Sequence, residues 1–188
     1  MLMVTKTLEF KPAFMYPFNR AKGMLNIFWV LLPIIGWFAL GGYGVRIVKE
    51  FSKGKFKSLP KFNFSGDLKL GFFMFLKALP FVLAYTVLVA ILNFISPWFG
   101  GVANFFLRVL VVPILGINFF NKETVGSFFE FKILSSVFSN LGDYIMALLK
   151  SLLLGLIFVI MIIVLVGIPA GAFTQSIFIA DFYRRRVK

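Results

Sequence analysis

The chain has 188 residues, of which 60% are hydrophobic and only 14% are charged. Soluble proteins average roughly 45–50% apolar and about 25% charged residues, so this composition excludes a soluble monomer. The net charge of +13 comes from cations clustered between long uncharged runs, a distribution that argues against nucleic-acid binding and is typical of contact with a membrane surface.

The first uncharged run covers residues 23–45. A helix of that length rises about 34 Å, which is enough to cross a hydrocarbon core of about 30 Å once. We therefore predict a first membrane span here, retained in the protein rather than cleaved as a signal peptide. Because Pro33, Gly36, Gly41 and Gly42 lie inside the run, the alternative is a bent element that does not cross.

The second uncharged run predicts a helical hairpin. Residues 78–107 carry no charge, but they include Ser96–Gly101, a cluster of helix breakers with an interfacial tryptophan. Such a cluster is typical of a turn at the membrane surface. We therefore predict spans over residues 71–95 and 102–120.

The last uncharged run is too long for one span. A single helix over residues 143–183 would be about 60 Å long, twice the thickness of the hydrocarbon core. The sequence Gly167-Ile168-Pro169 is predicted to break it into spans over residues 144–166 and 169–183.

Two segments between spans are predicted to lie at the interface. Residues 122–143 are predicted to form an amphipathic helix on the membrane, with an ordinary exposed loop as the alternative. Its apolar positions are Phe128, Phe131, Leu134, Phe138 and Leu141. Residues 46–70 form a basic loop in which phenylalanine rings are expected at the headgroup layer. The lysines expected to bind anionic headgroups are Lys53, Lys55, Lys57 and Lys61.

Together these segments predict an all-α, polytopic membrane protein that forms one domain over residues 1–188. It has about five transmembrane helices, or four if the first does not cross, and one or two interfacial amphipathic helices. The positive-inside rule places the basic loop and the C-terminus on the cytoplasmic side of the cell membrane. The segment 1–22, also basic, conflicts with that rule if there are five crossings, and we interpret it as interfacial.

Few ionisable residues lie inside the predicted spans. Lys77, Lys150 and Asp181 lie near helix ends, where long side chains reach the headgroups or an acid meets a nearby arginine. Arg108 lies about two turns inside the third span with no acid near it in sequence. The options for it are to reach outward, to hydrogen-bond carbonyls exposed by Pro113, or to bind a lipid phosphate.

Two proline motifs hint at an internal repeat. The residues around Pro33, Leu31–Gly36, resemble those around Pro113, Val111–Gly116. With Pro169, these prolines are the predicted helix breaks. A parallel repeat of this kind suits a small transporter or channel, which would hold a polar cavity near Arg108.

The chain resembles a known family in the order of its short motifs. The motifs are Phe14-Met15-Tyr16-Pro17-Phe18, Gly42-Tyr43 with Arg46, Gly54, Leu59-Pro60, Phe62, Asp67 and Gly71. Their order resembles the domain-of-unknown-function 4013 family of small multi-pass membrane proteins of archaea and bacteria. The resemblance extends to Pro169–Tyr183 and implies a conserved membrane fold without an established activity.

The side chains that most catalytic sites need are missing. The chain has no cysteine and no histidine, which excludes thiol nucleophiles, serine–histidine triads and the usual zinc and haem ligands. No carboxylate pair has a spacing suited to acid–base catalysis. We therefore expect a non-enzymatic membrane protein without a cofactor, which interacts with anionic lipid, with a membrane protein partner or with a second copy. The alternative is the small transporter or channel.

Overall fold

The computed structural model describes residues 6–188, and every regular element in that range is helical. The predicted all-α class is therefore confirmed. The first five residues of the predicted interfacial segment 1–22 lie outside the described range. The α-helices are α1 (Phe10–Met15), α2 (Ala21–Met24), α3 (Ile35–Phe51), α4 (Phe64–Ile95), α5 (Pro97–Phe106), α6 (Val112–Lys122), α7 (Leu134–Ser139), α8 (Leu141–Ile160), α9 (Gly167–Thr174) and α10 (Ile177–Arg186). Shorter turns join them: 3₁₀ turns at Phe18–Arg20, Leu25–Leu31, Val125–Phe129, Phe131–Ile133 and Met161–Val164, and a π turn at Leu107–Val111.

Three helices among the described residues are long and apolar enough to cross a membrane. They are Phe64–Ile95, Pro97–Lys122 and Leu141–Val164. The first is α4, the second joins α5 to α6 through the π turn, and the third is α8 with its 3₁₀ end. This result supports a helical membrane protein. The first and last predicted spans are not single long helices.

The hairpin formed by the first two spanning helices matches its prediction. Ser96 alone separates α4 from α5, and its hydroxyl accepts a hydrogen bond from the Phe99 amide at 3.4 Å. Pro97 occupies the first turn of α5, where its missing N–H costs nothing. The turn therefore lies within the predicted cluster Ser96–Gly101.

At its other end α4 starts seven residues before its predicted start at Gly71, at Phe64. Asn63 caps this end, since its Oδ1 accepts from the Gly66 amide at 3.3 Å. The helix then runs for 32 residues through Pro80, a length of about 48 Å.

The first predicted span is wrong as a single helix. Leu25–Leu31 forms a 3₁₀ turn, the chain bends at Pro33, and α3 starts only at Ile35. Ile34 has a φ of 65°, the left-handed conformation that a side chain branched at Cβ rarely adopts. With 17 residues, α3 is about 26 Å long, shorter than the hydrocarbon core. The structure thus shows that this segment is bent and confirms the break at Pro33.

The last predicted span is also replaced by shorter elements. The chain turns at Leu165, whose φ is 60°, just before the predicted break at Gly167-Ile168-Pro169. It then forms α9 and α10 instead of one helix over residues 169–183. Most side chains of α10 are buried in the protein, including those of Ile177 and Phe182. These two helices cover α8 rather than facing lipid on their own.

The amphipathic segment 122–143 is helical but not one helix. Two 3₁₀ turns and α7 follow one another, because α6 holds the segment at its midpoint. The Asn118 side-chain amide donates to Ser127 O at 2.8 Å and to Glu130 Oε2 at 3.1 Å. Phe128 is buried, whereas Phe138 remains exposed. The predicted single apolar face is therefore divided between protein and surroundings.

Two regions differ sharply in packing. The base consists of α3, α6, α8, α9, α10 and the first part of α4, and it contains the largest fully buried side chains. These include Tyr43, Phe51, Tyr144 and Phe182. The distal hairpin, residues 78–107, packs its two helices mainly on each other.

Candidate functional site: a basic loop held by its backbone

The basic loop follows α3 and is fixed by side chains of the N-terminal segment. Asn19 donates to the carbonyl of Lys57 at 2.7 Å, and Arg20 donates to that of Leu59 at 3.1 Å. Leu59 itself is buried. These bonds tie the middle of the loop to residues far away in sequence.

Helix α3 holds the next two carbonyls. Tyr43 donates to Pro60 O at 3.0 Å, and Arg46 donates to Lys61 O at 2.8 Å. Four carbonyls within five residues are therefore bound by side chains. Each such bond contributes about 0.5–1.5 kcal/mol, so the loop backbone has a defined shape without regular secondary structure.

The phenylalanines of the loop pack against other aromatic rings of the protein. Phe56 stacks on the buried ring of Phe51 with centroids 5.8 Å apart. Phe62 stacks on Trp29 at 5.9 Å and meets the edge of Tyr43 at 5.3 Å. The rings turn inward because protein surface is available to cover them.

The four predicted lysines turn outward. Lys53, Lys55, Lys57 and Lys61 are all exposed, and none of their ammonium groups makes a hydrogen bond or ion pair within residues 6–188. The loop thus presents four cations on a fixed backbone.

The carboxylates are, in contrast, nearly all neutralised by the protein. Of the acidic residues, Glu9, Asp67, Glu123, Glu130, Asp143 and Asp181 form ion pairs. The excess of cations therefore appears at the surface rather than inside the fold.

The ion pair between Arg46 and Asp67 holds one end of the loop against α3 and α4. Asp67 is fully buried, and its Oδ2 accepts from Arg46 Nη2 at 2.7 Å and from the Asn63 amide at 2.9 Å. Hydrogen bonding to Asp67 raises the pKa of the Arg46 guanidinium above its ordinary value. Arg46 also holds Lys61 O, so this pair connects α3, α4 and the loop.

The pair depends on a close contact between α3 and α4. A Cβ on Gly42 would lie 1.9 Å from Asp67 O, and one on Gly71 would lie 1.9 Å from Phe38 O. Only glycine allows this approach of the two backbones.

The C-terminal arginines form a second ionic cluster. Asp181 is buried and accepts from Arg185 Nε at 3.0 Å and from the Leu8 amide at 3.0 Å. Arg186 Nε donates to Asp143 at 2.9 Å. The predicted pairing of Asp181 with the nearby arginines is confirmed, and these arginines serve the fold.

Lys77 and Lys150 also contact the protein instead of extending freely toward headgroups. Lys77 Nζ donates to Glu123 O at 2.8 Å, and Lys150 Nζ donates to Leu8 O at 3.4 Å. Neither lysine is therefore a candidate for binding a ligand.

Arg108 lies in the π turn before Pro113. Proline has no amide hydrogen, and the Tyr144 hydroxyl contacts the nearby carbonyls of Val109 at 3.3 Å and Leu110 at 3.2 Å. The carbonyls that were one option for Arg108 are therefore bound by Tyr144. Arg108 is exposed and makes no side-chain hydrogen bond or ion pair in the described part of the chain.

The larger cavities do not bring Arg108 and the prolines together. The cavity that contains Pro169, about 510 Å³, is lined by apolar side chains and by backbone. A groove of about 690 Å³ between α3, α4 and α6 is also apolar, whereas Gln175 and Ser176 line a smaller cavity of about 340 Å³. Arg108 lines none of the three, which gives no support to the polar cavity that a transporter requires. Residues 6–188 also contain no group of three acidic side chains placed to hold a metal ion.

Sequence reasoning missed the side chains that fix the loop. Asn19 and Arg20 act across about forty residues, and no local pattern marks such a contact. Arg46 and Asp67 are among the motifs that carry the family resemblance, but their spacing in the sequence does not show that they form an ion pair.

One comparison with known proteins gives a match. The family model described as "Protein of unknown function (DUF4013)" matches residues 25–167, which include the basic loop and all three long helices. No curated protein and no solved structure matches the chain.

Proposed function

The chain belongs to the family described as "Protein of unknown function (DUF4013)", and from this premise we propose that it is a non-enzymatic membrane component whose basic loop binds anionic lipid headgroups. The observation that carries the proposal is the set of four exposed, unpaired lysines on a loop fixed through its carbonyls.

The electrostatics of the loop support this function. A lysine near an anionic membrane surface contributes about 1 kcal/mol of attraction, so four lysines supply a substantial preference for anionic lipid. Of the carboxylates that could cancel this attraction, all except Glu50 are bound to other cations. The loop is also joined directly to α4, a helix that is able to cross the membrane, so it lies near a bilayer surface.

The fixed backbone strengthens the proposal. A flexible lysine-rich segment loses conformational freedom when it binds, which weakens its affinity. Here Asn19, Arg20, Tyr43 and Arg46 have already ordered the backbone. We propose that this surface faces the cytoplasm of the cell, as the positive-inside rule favours.

The ion pairs also support a non-enzymatic role. The carboxylate oxygens of Asp67, Asp143 and Asp181 already accept hydrogen bonds from arginines of the protein. These three carboxylates therefore hold parts of the protein together.

Tryptophan quenching in vesicles tests lipid preference at the loop. Trp29 stacks beside Phe62 and Phe64 at the loop, whereas Trp98 lies exposed at the tip of the hairpin. Each is kept as the sole tryptophan by changing the others to phenylalanine. Brominated phosphatidylglycerol should quench Trp29 severalfold more strongly than brominated phosphatidylcholine, and rising salt should reduce this difference. Trp98 should show no such preference.

A pair of lysine variants identifies the loop as the cause. Lys53, Lys55, Lys57 and Lys61 are changed to glutamine together, and the preference at Trp29 should fall to near one. The matched variant changes four exposed lysines elsewhere, Lys11, Lys22, Lys132 and Lys188, and should keep most of the preference. Equal losses in the two variants would mean that net charge alone attracts lipid, and an unchanged preference in the loop variant would refute the proposal.

A further inference from the structure

The distal hairpin contains one charge that the protein itself does not neutralise. We propose that Arg108, together with Asn104, is a docking site for a transmembrane helix of another protein that carries a carboxylate near the middle of the membrane.

The depth of Arg108 is the first argument. Twelve residues separate it from the turn at Ser96, and fourteen separate it from the end of α6 at Lys122. Helical rise makes these distances about 18 Å and about 21 Å, so Arg108 lies near the middle of a hydrocarbon core of about 30 Å. Both distances exceed the length of an arginine side chain. Headgroup phosphates on either side are therefore out of its reach.

The second argument is that nothing in the described protein satisfies this guanidinium. The hydroxyl of Tyr144 contacts the carbonyls near Pro113, and the side chain of Arg108 is exposed. A charge at this depth is costly to insert into a membrane, and such residues almost always pair.

Asn104 adds a second donor one turn away. Tyr85, from the facing helix α4, donates to Asn104 Oδ1, and the amide nitrogen of Asn104 makes no hydrogen bond within residues 6–188. Residues four apart lie on one face of a helix. The amide and the guanidinium therefore form a donor patch that fits a carboxylate.

A second copy of this chain does not supply that carboxylate. Every acidic residue lies outside the hairpin of residues 78–107, and all except Glu50 are held in ion pairs. Charge complementarity thus favours an acidic helix from a different protein over self-association.

The test uses a synthetic leucine-rich transmembrane peptide with one central glutamate, and the same peptide with glutamine. Both are labelled and mixed with the full protein in phosphatidylcholine vesicles, and association is read by energy transfer from a label at the hairpin turn. Since interhelical hydrogen bonds in membranes are modest, the glutamate peptide should bind roughly five- to tenfold more tightly than the glutamine peptide. Equal binding of the two peptides would overturn the proposal.

Variants at Arg108 separate a charge effect from misfolding. Arg108→Leu should abolish the preference, and Arg108→Lys should keep part of it. Arg108→Glu should reverse the preference, so that a peptide with a central lysine binds best. If Arg108→Leu keeps the preference for glutamate, the proposed site is wrong.

Two further outcomes identify other occupants and would also overturn the proposal. Displacement of the glutamate peptide by added phosphatidylglycerol would show that Arg108 binds a lipid phosphate. Energy transfer between two labelled copies of the protein, lost in Arg108→Leu, would show that a second copy occupies the site.

Discussion

The base and the distal hairpin are made of similar apolar residues but are held in different ways. In the base, Phe51 and Phe182 are fully buried, and charged pairs lie beneath the surface. In the hairpin, Leu83 is 66% exposed and Phe94 is 93% exposed. The comparison teaches that apolar composition suffices to place a helix in lipid, whereas glycine contacts and ion pairs are needed to pack helices on one another.

The largest effect is expected where the backbones of α3 and α4 meet. Gly71→Leu places a Cβ 1.9 Å from Phe38 O, which the two helices can relieve only by separating. We expect a loss of more than about 3 kcal/mol in the free energy of unfolding, or no folded base at all. Unfolding in mixed detergent micelles, followed by circular dichroism, measures it.

The matched change in the hairpin is Gly101→Ala. No atom lies within 4 Å of a Cβ added there, and alanine stabilises a helix interior by up to about 1 kcal/mol relative to glycine. The stability should stay unchanged or rise. If Gly101→Ala cost as much as Gly71→Leu, the hairpin would be as tightly packed as the base.

The second-largest loss of stability is expected when the buried ion pair of the base is broken. Asp67→Asn removes the negative partner of Arg46 from a fully buried position. Breaking a buried pair costs about 3–5 kcal/mol, and the partial exposure of Arg46 reduces our expectation to about 2 kcal/mol. Micelle unfolding again measures the change. Glu9→Gln removes an exposed pair with Lys6 and serves as the control, which should show no measurable loss. Equal stability of Asp67→Asn and the wild type would show that the pair does not hold α3 to α4.

A smaller effect is expected from the polar contact inside the hairpin. Tyr85→Phe removes the hydrogen bond to Asn104, and bonds of this kind in membranes contribute about 0.6 kcal/mol. The unfolding free energy should fall by about that amount. Thr86→Val is the control, because the Thr86 hydroxyl bonds only to Val82 O in its own helix. A loss as large as that of Asp67→Asn would mean that polar contacts hold the hairpin together.

The smallest effect depends on pH. The Lys122 ammonium, with Asn118, lowers the pKa of the Glu130 carboxyl below its ordinary value. Because the folded pKa is depressed, this stabilisation is present above the unfolded pKa of about 4.3 and is lost as the pH falls through the lower folded value. Glu130→Gln should therefore melt slightly below the wild type at pH 7 and at the same temperature near pH 3. A difference that stays constant over this range would contradict the assignment.

The sequence predicted the turns and helix breaks, which depend on residues close together in the chain. It located the turn at Ser96 and the breaks near Pro33 and Pro169, because helix breakers and span length act locally. It did not show whether lipid or protein covers an apolar run, and residues 23–45 and 169–183 were interpreted as spans for that reason. The contacts of Phe56 and Phe62 with other aromatic rings were likewise not visible in the sequence.

In the candidate site, too, the sequence predicted one part and missed the other. The exposure of Lys53, Lys55, Lys57 and Lys61 followed from charge alone. The side chains that fix the loop act over 15–39 positions in the chain. A single sequence carries no signal for contacts at that separation, since each pair is set by how the helices cross.

The bond from the Leu8 amide to Asp181 joins segments that are 173 positions apart. A growing chain has formed and inserted the hairpin, whose contacts are local, long before Asp181 emerges from the ribosome. Until then the N-terminal segment has its contacts with the basic loop but lacks its partner on α10. We therefore expect the base to be completed last, after the hairpin has formed.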